Sequence, residues 1–174
     1  RVMKSGSCPS TSGEPWHQQS KGTRLADCPT SAEDDFVPLL VRLCVKVVES
    51  QGLQSVGIYR IPGNTAAVNS LMADVQKGFQ HVDFSDPRWT DLNVVSSLLK
   101  GFFRKLPEPL LTDRLYPAFI DASRVPEHSQ RLSQLRSLAH QLPKHNFETL
   151  RFLCLHLQRV AAESEANKME ARNL

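Results

Sequence analysis

The sequence predicts an all-α domain, a multi-helix bundle of six or more helices with short connections. Three observations support this fold class. Apolar residues recur at three- and four-residue intervals over most of the chain after residue 36, which is the periodicity of helices that pack on a core. Prolines and glycines close these runs at helix-like lengths. No segment shows a convincing strand-like alternation of apolar and polar residues.

The composition is that of one folded domain. The chain has 174 residues, of which 40% are hydrophobic and 22% charged, close to globular averages. A net charge of +3 is too weak to indicate nucleic-acid binding, and the 7% of aromatic residues fall mostly at core-like spacings. We therefore expect no nucleic-acid partner.

Cysteine usage and hydropathy indicate a cytoplasmic location. Cys44 and Cys154 lie in apolar helical runs, so we expect buried free thiols and a reducing compartment. There is neither a signal-peptide pattern nor an apolar run long enough to cross a membrane, so we expect no membrane insertion.

Residues 1–35 differ from the rest of the chain. They are rich in Ser, Gly, Thr, Pro and charge and nearly free of aliphatic residues, so they bury too little apolar surface to offset the entropy of ordering. We predict a flexible linker or tail, whose last part, "GTRLADCP", packs locally. The folded domain is expected at residues 36–174.

Three helices are predicted in the first half of the domain. The first begins near Val37 and ends at Gly52. The second starts after a cap at Asn64 or Thr65, and the third is capped by Asp91 and ended by "PEP". Irregular chain is expected between the second and the third helix. The apolar positions that define the first helix are Val37, Leu40, Val41, Cys44, Val47 and Val48.

Three more helices are predicted near residues 113–123, near residues 127–141 and from about Asn146 onward. The apolar face of the last comprises Phe147, Leu150, Leu153, Cys154, Leu157 and Val160. A further helix is expected to start in "NKMEARNL", with Asn167 as its cap.

Arg60 is the first candidate functional residue. It lies in "GIYRIPGN", where Gly57, Pro62 and Gly63 predict a loop that presents a side chain. An ordinary surface arginine is one interpretation. The other is a guanidinium held rigidly to bind a phosphate or a carboxylate through two hydrogen bonds.

Lys100, Arg104 and Asn173 are the other candidates. Lys100 and Arg104 are four residues apart and share one helical face, with no acidic residue between them. They are either solvated cations or the binding site of an external anion. Capping does not explain Asn173, which is expected to be a buried or interface amide. Nucleophile motifs, zinc-binding histidine spacing and a GxxxxGK[ST] loop are absent from the sequence.

Three motifs together resemble one family. In order and spacing, "GIYRIPGN", "LLKGFFRKLPEPLLT" and "RFLCLHLQRVAAESEANKMEARNL" are similar to the RhoGAP domain, also called the breakpoint-cluster-region homology domain. The opening "DDFVPLLVRLC" resembles the start of the family, and the loop resembles the subgroup that also carries PDZ and pleckstrin-homology domains. Because the family continues past "NL", we expect a C-terminally incomplete domain.

The resemblance implies a GTPase activator. Members accelerate GTP hydrolysis by GTP-bound Rho, Rac and Cdc-type small GTPases, which regulate the cytoskeleton. Arg60 would be the arginine finger, inserted in trans, and Lys100, Arg104 and Asn173 would line the GTPase-binding groove. The domain would act as a monomer, with no catalytic turnover and no cofactor of its own, since GTP and Mg²⁺ belong to the GTPase. Other domains of a larger protein would recruit it to membranes.

Two alternatives to this function remain open. A RhoGAP-like docking module would bind GTPases without accelerating hydrolysis. A helical binder of lipid surfaces would use Lys100, Arg104 and Lys105, although each charge contributes only about 1 kcal/mol near an anionic surface.

Overall fold

The computed structural model describes residues 22–174, without the side chains of Asp34 and Asp35. Residues 1–21 of the expected tail lie outside the described residues. The predicted all-α class is confirmed, because helices dominate the described fold and the sheet has only two strands. The helices are Leu39–Gln51 (α1), Thr65–Gln76 (α2), Leu92–Arg104 (α3), Tyr116–Ser123 (α4), His128–His140 (α5), Lys144–Ala162 (α6) and Ser164–Asn167 (α7).

Side-chain caps fix the starts of the helices that carry the candidate site. Asn64 Oδ1 accepts the Ala67 N–H at 3.0 Å at the start of α2. The Asp91 carboxylate accepts the N–H groups of Asn93 and Val94 at the start of α3. Both caps were predicted from the sequence. They satisfy donors that the first helical turn leaves without partners.

The main core lies between α1, α2 and α3 and is closed by α6. Its completely buried residues include Val41, Cys44 and Val48 from α1 and Val95 and Leu98 from α3. A smaller cluster forms beneath α4 and α5, around Leu115, Phe119 and Leu142. None of the helices in residues 22–174 is both long and apolar enough to cross a membrane.

A short antiparallel sheet is the main departure from the predicted elements. It pairs Thr30–Ser31 (β1) with Asp34–Pro38 (β2), and β2 packs against α6. Strands this short cannot show a detectable alternation of residue type. The preceding segment packs on the domain: Leu25 is buried, and the Gly22 N–H donates to the Lys105 carbonyl oxygen at 3.1 Å.

The predicted burial of Cys154 is wrong. Cys44 is buried, whereas Cys154 is exposed. Helix α6 buries the stripe formed by Thr149, His156 and Val160. Cys154 lies two residues from His156, and therefore about 200° around the helix axis, on the far side from that stripe. The composition of α6 does not reveal this rotation, because apolar residues occur on more than one of its faces.

Short 3₁₀ turns replace several segments that were expected to be irregular or helical. They are Leu25–Asp27, Phe79–His81, Pro87–Thr90 and Ala171–Asn173. The last of these occupies the segment in which a further helix was expected to start. The starts of two helices also shift: α4 begins at Tyr116 rather than near 113, and α6 begins at Lys144 rather than near Asn146.

Gly63 brings the "GIYRIPGN" loop against the start of α3. A Cβ atom at Gly63 would lie 2.6 Å from the Asn93 carbonyl oxygen and from the backbone N and Cα of Val94. These are backbone atoms of a capped helix, so they cannot move aside as the end of a flexible side chain can. The absence of a side chain at Gly63 is therefore required for this close approach.

We expect Gly63→Ala to lower the free energy of unfolding by roughly 1–3 kcal/mol, as overpacking does. Gly101→Ala is the matched control, because a Cβ at Gly101 meets only the Met72 Cε at 4.0 Å. Within helix α3 that alanine should raise stability by up to about 1 kcal/mol. Chemical denaturation of both variants measures the difference. An unchanged Gly63→Ala midpoint would contradict the close approach.

Candidate functional site

The Arg60 loop, residues 57–63, is a tight turn closed on a single carbonyl group. The N–H groups of Arg60 and Ile61 both donate to the Gly57 carbonyl oxygen, at 2.8 and 2.9 Å. Gly57 has a φ of 76° and Tyr59 a φ of 67°. Glycine adopts this left-handed region readily, but a residue with a Cβ does so only when surrounding contacts hold it there.

The side chains of Tyr59 and Arg60 lie on opposite sides of the loop. Tyr59 is partly buried and packs against the main core. Arg60 is exposed, and its guanidinium has no hydrogen bond or ion pair with any side chain or carbonyl in residues 22–174. The turn therefore anchors one residue inside the protein and presents the next to solvent.

Helix α3 holds one side of the loop. Lys100 Nζ donates to the Tyr59 carbonyl oxygen at 2.9 Å, and the Gly63 N–H donates to Ser97 Oγ at 2.9 Å. The first bond places the Lys100 ammonium at the peptide group that joins Tyr59 to Arg60. Lys100 thus has a contact that sequence reasoning did not anticipate.

Asn167 holds the other side of the loop. Its backbone carbonyl oxygen accepts the Gly57 N–H at 2.8 Å. Its buried side-chain amide donates to the carbonyl oxygens of Leu53 and Val160, and its Oδ1 accepts the Met169 N–H, all at 2.8 Å. The expected helix-capping role of Asn167 is wrong, because this residue ends α7 and bonds to three other parts of the chain.

A polar relay lies beneath Tyr59. The Tyr59 hydroxyl is 2.5 Å from His156 Nε2, and His156 Nδ1 is 2.9 Å from Glu49 Oε1. Arg159 NH1 donates to the same Glu49 oxygen at 2.9 Å. His156 is completely buried, so α6 and α1 enclose an imidazole that bonds to the residue before Arg60.

The charge on Glu49 sets the proton positions in this relay. An ionised carboxylate only accepts hydrogen bonds, so His156 Nδ1 must carry a proton. In neutral imidazole Nε2 then has no proton and accepts the hydrogen bond from the Tyr59 hydroxyl. Burial opposes the charge on Glu49, but hydrogen bonds from His156 and Arg159 outweigh this and lower its pKa.

The same surroundings keep His156 and Tyr59 neutral. Burial lowers the pKa of His156, although the hydrogen bond to Glu49 acts in the opposite direction. Burial raises the pKa of Tyr59, and the negative charge of Glu49 adds to that shift. The neutral forms of Tyr59 and His156 are the ones that allow every hydrogen bond of this relay to have a donor and an acceptor.

Arg104 lies on the same helix as Lys100, which contacts the loop, whereas Asn173 lies in a separate turn near the end of the described chain. Arg104 is exposed one helical turn beyond Lys100 on the same side of α3, as the spacing predicted. Asn173 is exposed in the turn Ala171–Asn173, where its N–H donates to the Glu170 carbonyl oxygen at 2.9 Å. Within residues 22–174, no hydrogen bond joins its side chain to the loop, so its place in a binding groove stays a prediction.

Two large apolar side chains close to Arg60 in the sequence are exposed. Val56 is 60% exposed and Ile61 is 44% exposed, among the largest values for big apolar residues in the described part of the chain. Exposed apolar side chains close to an exposed arginine are compatible with a surface that a protein partner covers. No cluster of three or more potential metal ligands occurs in residues 22–174.

Sequence reasoning missed the residues that support Arg60 from within. Tyr59, His156, Glu49 and Asn167 are distant in sequence, and periodicity does not show which helices meet. One signal was present: Thr149 and His156 are seven residues apart, so they lie on a single face of helix α6.

Comparisons with known proteins identify the family of this fold. The family model described as "RhoGAP domain" matches residues 38–174. This chain belongs to the RhoGAP family. The RhoGAP domain is 57% identical over 159 residues to "GTPase-activating protein pac-1" of Caenorhabditis elegans, covering 88% of the chain and 10% of that relative. It is 53% identical over 153 residues to "Rho GTPase-activating protein 21" of Mus musculus, covering 88% of the chain and 8% of that protein.

Solved structures agree with this assignment. Human Rho GTPase activating protein 15 superimposes with a TM-score of 0.75 at 34% identity, covering 81% of this chain and 66% of that chain. The BH domain of GRAF, the GTPase regulator associated with focal adhesion kinase, gives 0.70 at 29% identity, covering 77% and 71%. The chain spans about a tenth of the length of the two curated relatives named above.

Because His156 is buried, we predict that the free energy of unfolding of this RhoGAP domain depends on pH. A lowered pKa means that the unfolded state, with its ordinary value of 6.5, binds a proton more readily than the folded state. We therefore expect the free energy of unfolding to fall as pH decreases below 6.5 towards the lower folded-state pKa. His156→Gln should lose this part of the pH dependence. Denaturation curves at several pH values test it, and parallel wild-type and variant profiles would exclude His156 as the source.

Proposed function

We propose that this RhoGAP domain accelerates GTP hydrolysis by a Rho-family GTPase and that Arg60 acts as an arginine finger in trans. The observation that carries the proposal is the presentation of Arg60. Its side chain is exposed and has no partner in residues 22–174, whereas the backbone on both sides of it is fixed by hydrogen bonds. The relatives' names, "GTPase-activating protein pac-1" and "Rho GTPase-activating protein 21", support the reaction class.

The chemistry of GTP hydrolysis explains why an arginine is suited to this position. Negative charge shifts among the phosphate oxygens as the γ-phosphoryl group departs, and a fixed cation stabilises that charge. A guanidinium can donate to two oxygens in one plane, which a lysine ammonium cannot. In Ras, an arginine finger supplied in trans is worth about 10³–10⁵ in rate.

The preformed loop reduces the cost of inserting the finger. Arg60 N–H and Ile61 N–H are already bonded to the Gly57 carbonyl, and Lys100 already holds the Tyr59 carbonyl. Within the loop backbone these bonds are already made, so the Arg60 side chain is the main part of the turn left to be ordered when the partner binds. Such preorganisation strengthens binding and catalysis without requiring new contacts.

The surface around Arg60 supports docking of a GTPase. Lys100 and Arg104 place two cations on the same side of α3, and no salt bridge of either residue with a side chain in residues 22–174 neutralises them. Ile61, the residue after Arg60, adds exposed apolar area to the loop. We assign Asn173 to the same docking surface on the family resemblance alone.

The proposal gives the partner most of the catalytic components. The GTPase would hold GTP and Mg²⁺ and position the attacking water, so the domain needs no cofactor of its own and acts as an activator rather than an enzyme. It should prefer the GTP-bound state, because the finger's target is the γ-phosphate region. Because the chain spans about a tenth of the relatives' length, we further propose that other segments of a longer protein determine where a monomeric domain acts.

Arg60→Ala should abolish the acceleration and largely retain affinity for the GTP-bound GTPase. The expected loss is about 10³–10⁵ in rate, or roughly 4–7 kcal/mol of transition-state stabilisation. Arg60→Lys should recover only a small part of it. Single-turnover hydrolysis by a panel of Rho-, Rac- and Cdc-type GTPases provides the rates. Arg136→Ala, which removes an exposed arginine of α5, is the matched control.

This experiment also separates activation from docking alone. A wild-type chain that binds GTPases and leaves hydrolysis unchanged would be a docking module. Undiminished acceleration by Arg60→Ala would overturn the role of Arg60 while leaving the reaction class intact.

Lys100→Met should lower the maximal stimulated rate by about tenfold to hundredfold, the scale of a small misplacement of a catalytic group. Methionine fills similar space but cannot donate to the Tyr59 carbonyl, so the backbone next to Arg60 is less constrained. Lys77→Met, at an exposed position after α2, controls for the loss of one surface charge. Equal maximal rates for the two variants would show that the bond to Tyr59 is irrelevant to the reaction.

A further inference from the structure

We propose that Tyr59 and His156 are positioning residues, which hold the backbone at Arg60 in the orientation that the finger requires. The inference rests on the proposed function and deepens it. Neither residue would touch the nucleotide. Their effect would reach the reaction only through the peptide group that Tyr59 shares with Arg60.

The first argument is the left-handed backbone at Tyr59. Its φ of 67° is disfavoured for a residue with a Cβ, so local preference would move the turn away from this geometry. Backbone conformations of this kind persist where tertiary contacts over-determine them. The Tyr59 side chain supplies such contacts, because it is partly buried against the main core.

The second argument is the direction of the hydrogen bonds. Glu49 accepts from His156 Nδ1, which leaves Nε2 to accept from the Tyr59 hydroxyl at 2.5 Å. Both His156 bonds are thereby specified, and the imidazole plane is fixed between α1 and the loop. The rings of Tyr59 and His156 meet edge to face, with centroids 5.7 Å apart and planes at 76°. The hydroxyl therefore has one fixed acceptor.

The third argument is the location of this polar chemistry. His156 is completely buried on the stripe of α6 that faces the core, where an apolar side chain would serve packing alone. Apolar contacts are non-directional and tolerate small shifts of a side chain, whereas a satisfied polar network specifies one arrangement. Here the specified side chain is the immediate neighbour of the proposed finger.

A positioning role predicts a particular kinetic signature. The Arg60 guanidinium contributes most when charge shifts in the transition state, so poor orientation should lower the maximal rate more than the apparent affinity. A purely structural role would lower thermal stability, and the loss of folded domain would raise the half-saturating concentration while leaving the maximal rate at saturation unchanged.

Tyr59→Phe is the first test, because it removes only the hydroxyl. The expected result is a maximal stimulated rate about tenfold lower, with an unchanged half-saturating concentration of the domain. Tyr116→Phe is the matched control, since Tyr116 is 48% exposed and lies outside the loop. Equal maximal rates for Tyr59→Phe, Tyr116→Phe and the wild-type chain would overturn the proposal.

Two amide substitutions at His156 provide a second test. A glutamine amide reaches the position of Nε2 and can accept from the Tyr59 hydroxyl, whereas an asparagine amide reaches only the position of Nδ1 and the Glu49 side. His156→Gln should therefore retain a several-fold higher maximal rate than His156→Asn. The reverse order, at matched folded fractions measured by circular dichroism, would contradict the proposed link through Tyr59.

Amide hydrogen exchange tests positioning without any GTPase. Loss of the Tyr59 anchor should speed exchange at the Arg60 and Ile61 N–H groups, which bond to the Gly57 carbonyl. Tyr116→Phe should leave both rates unchanged. Unaltered protection in Tyr59→Phe would overturn the inference, whatever the rates of hydrolysis. A wild-type chain that activates no Rho-family GTPase would refute the proposed function, and the exchange result would still decide the positioning role.

Discussion

The site depends on two consecutive residues that face opposite ways. Tyr59 enters the core and Arg60 enters solvent, across a turn in which Tyr59 adopts a left-handed backbone. This geometry is not intrinsically stable for a tyrosine and has to be held by the rest of the protein. Gly57 and Gly63 make it possible: Gly57 has a φ of 76°, and Gly63 lets the loop approach α3 closely.

Buried hydrogen bonds connect the packed helices to the Arg60 loop. Apolar packing among α1, α2 and α3 provides the non-directional part of stability. Asn167 and His156 add directional contacts, since both are completely buried and each bonds to groups on other segments. Removing one partner of such a contact leaves a buried polar group unsatisfied, which costs about 1–3 kcal/mol. The loop is therefore coupled to the integrity of the helix contacts beneath it.

The cations near the loop have different roles, although the sequence presents them alike. The Lys100 ammonium bonds to a backbone carbonyl and supports the turn, while the Arg60 guanidinium has no hydrogen bond or ion pair with a group in residues 22–174. Arg104 extends the positive surface one helical turn further along α3. A cationic surface that the described residues do not neutralise favours an anionic partner and steers its approach.

The sequence alone determined the fold class, most helices and the identity of the candidate cation cluster. Helical periodicity, the Asn64 and Asp91 caps and the "GIYRIPGN" turn are local features, encoded by residues close together in the chain. Arg60 was identifiable because glycine and proline mark a presenting loop. The residues that support it were not identifiable. Contacts of Tyr59 with His156 and of Gly57 with Asn167 join segments about a hundred residues apart.

Only the tertiary structure decided which face of each helix is buried and what lies beneath the loop. Cys154 is exposed and Asn167 is buried because the rotation of α6 and the end of α7 depend on the elements packed around them. The hydrophobic effect has no directional preference, so an apolar pattern predicts that a helix packs but not against which partner. The hydrogen bonds that support the backbone at Arg60 depend on which helices pack together, and only the folded structure shows that.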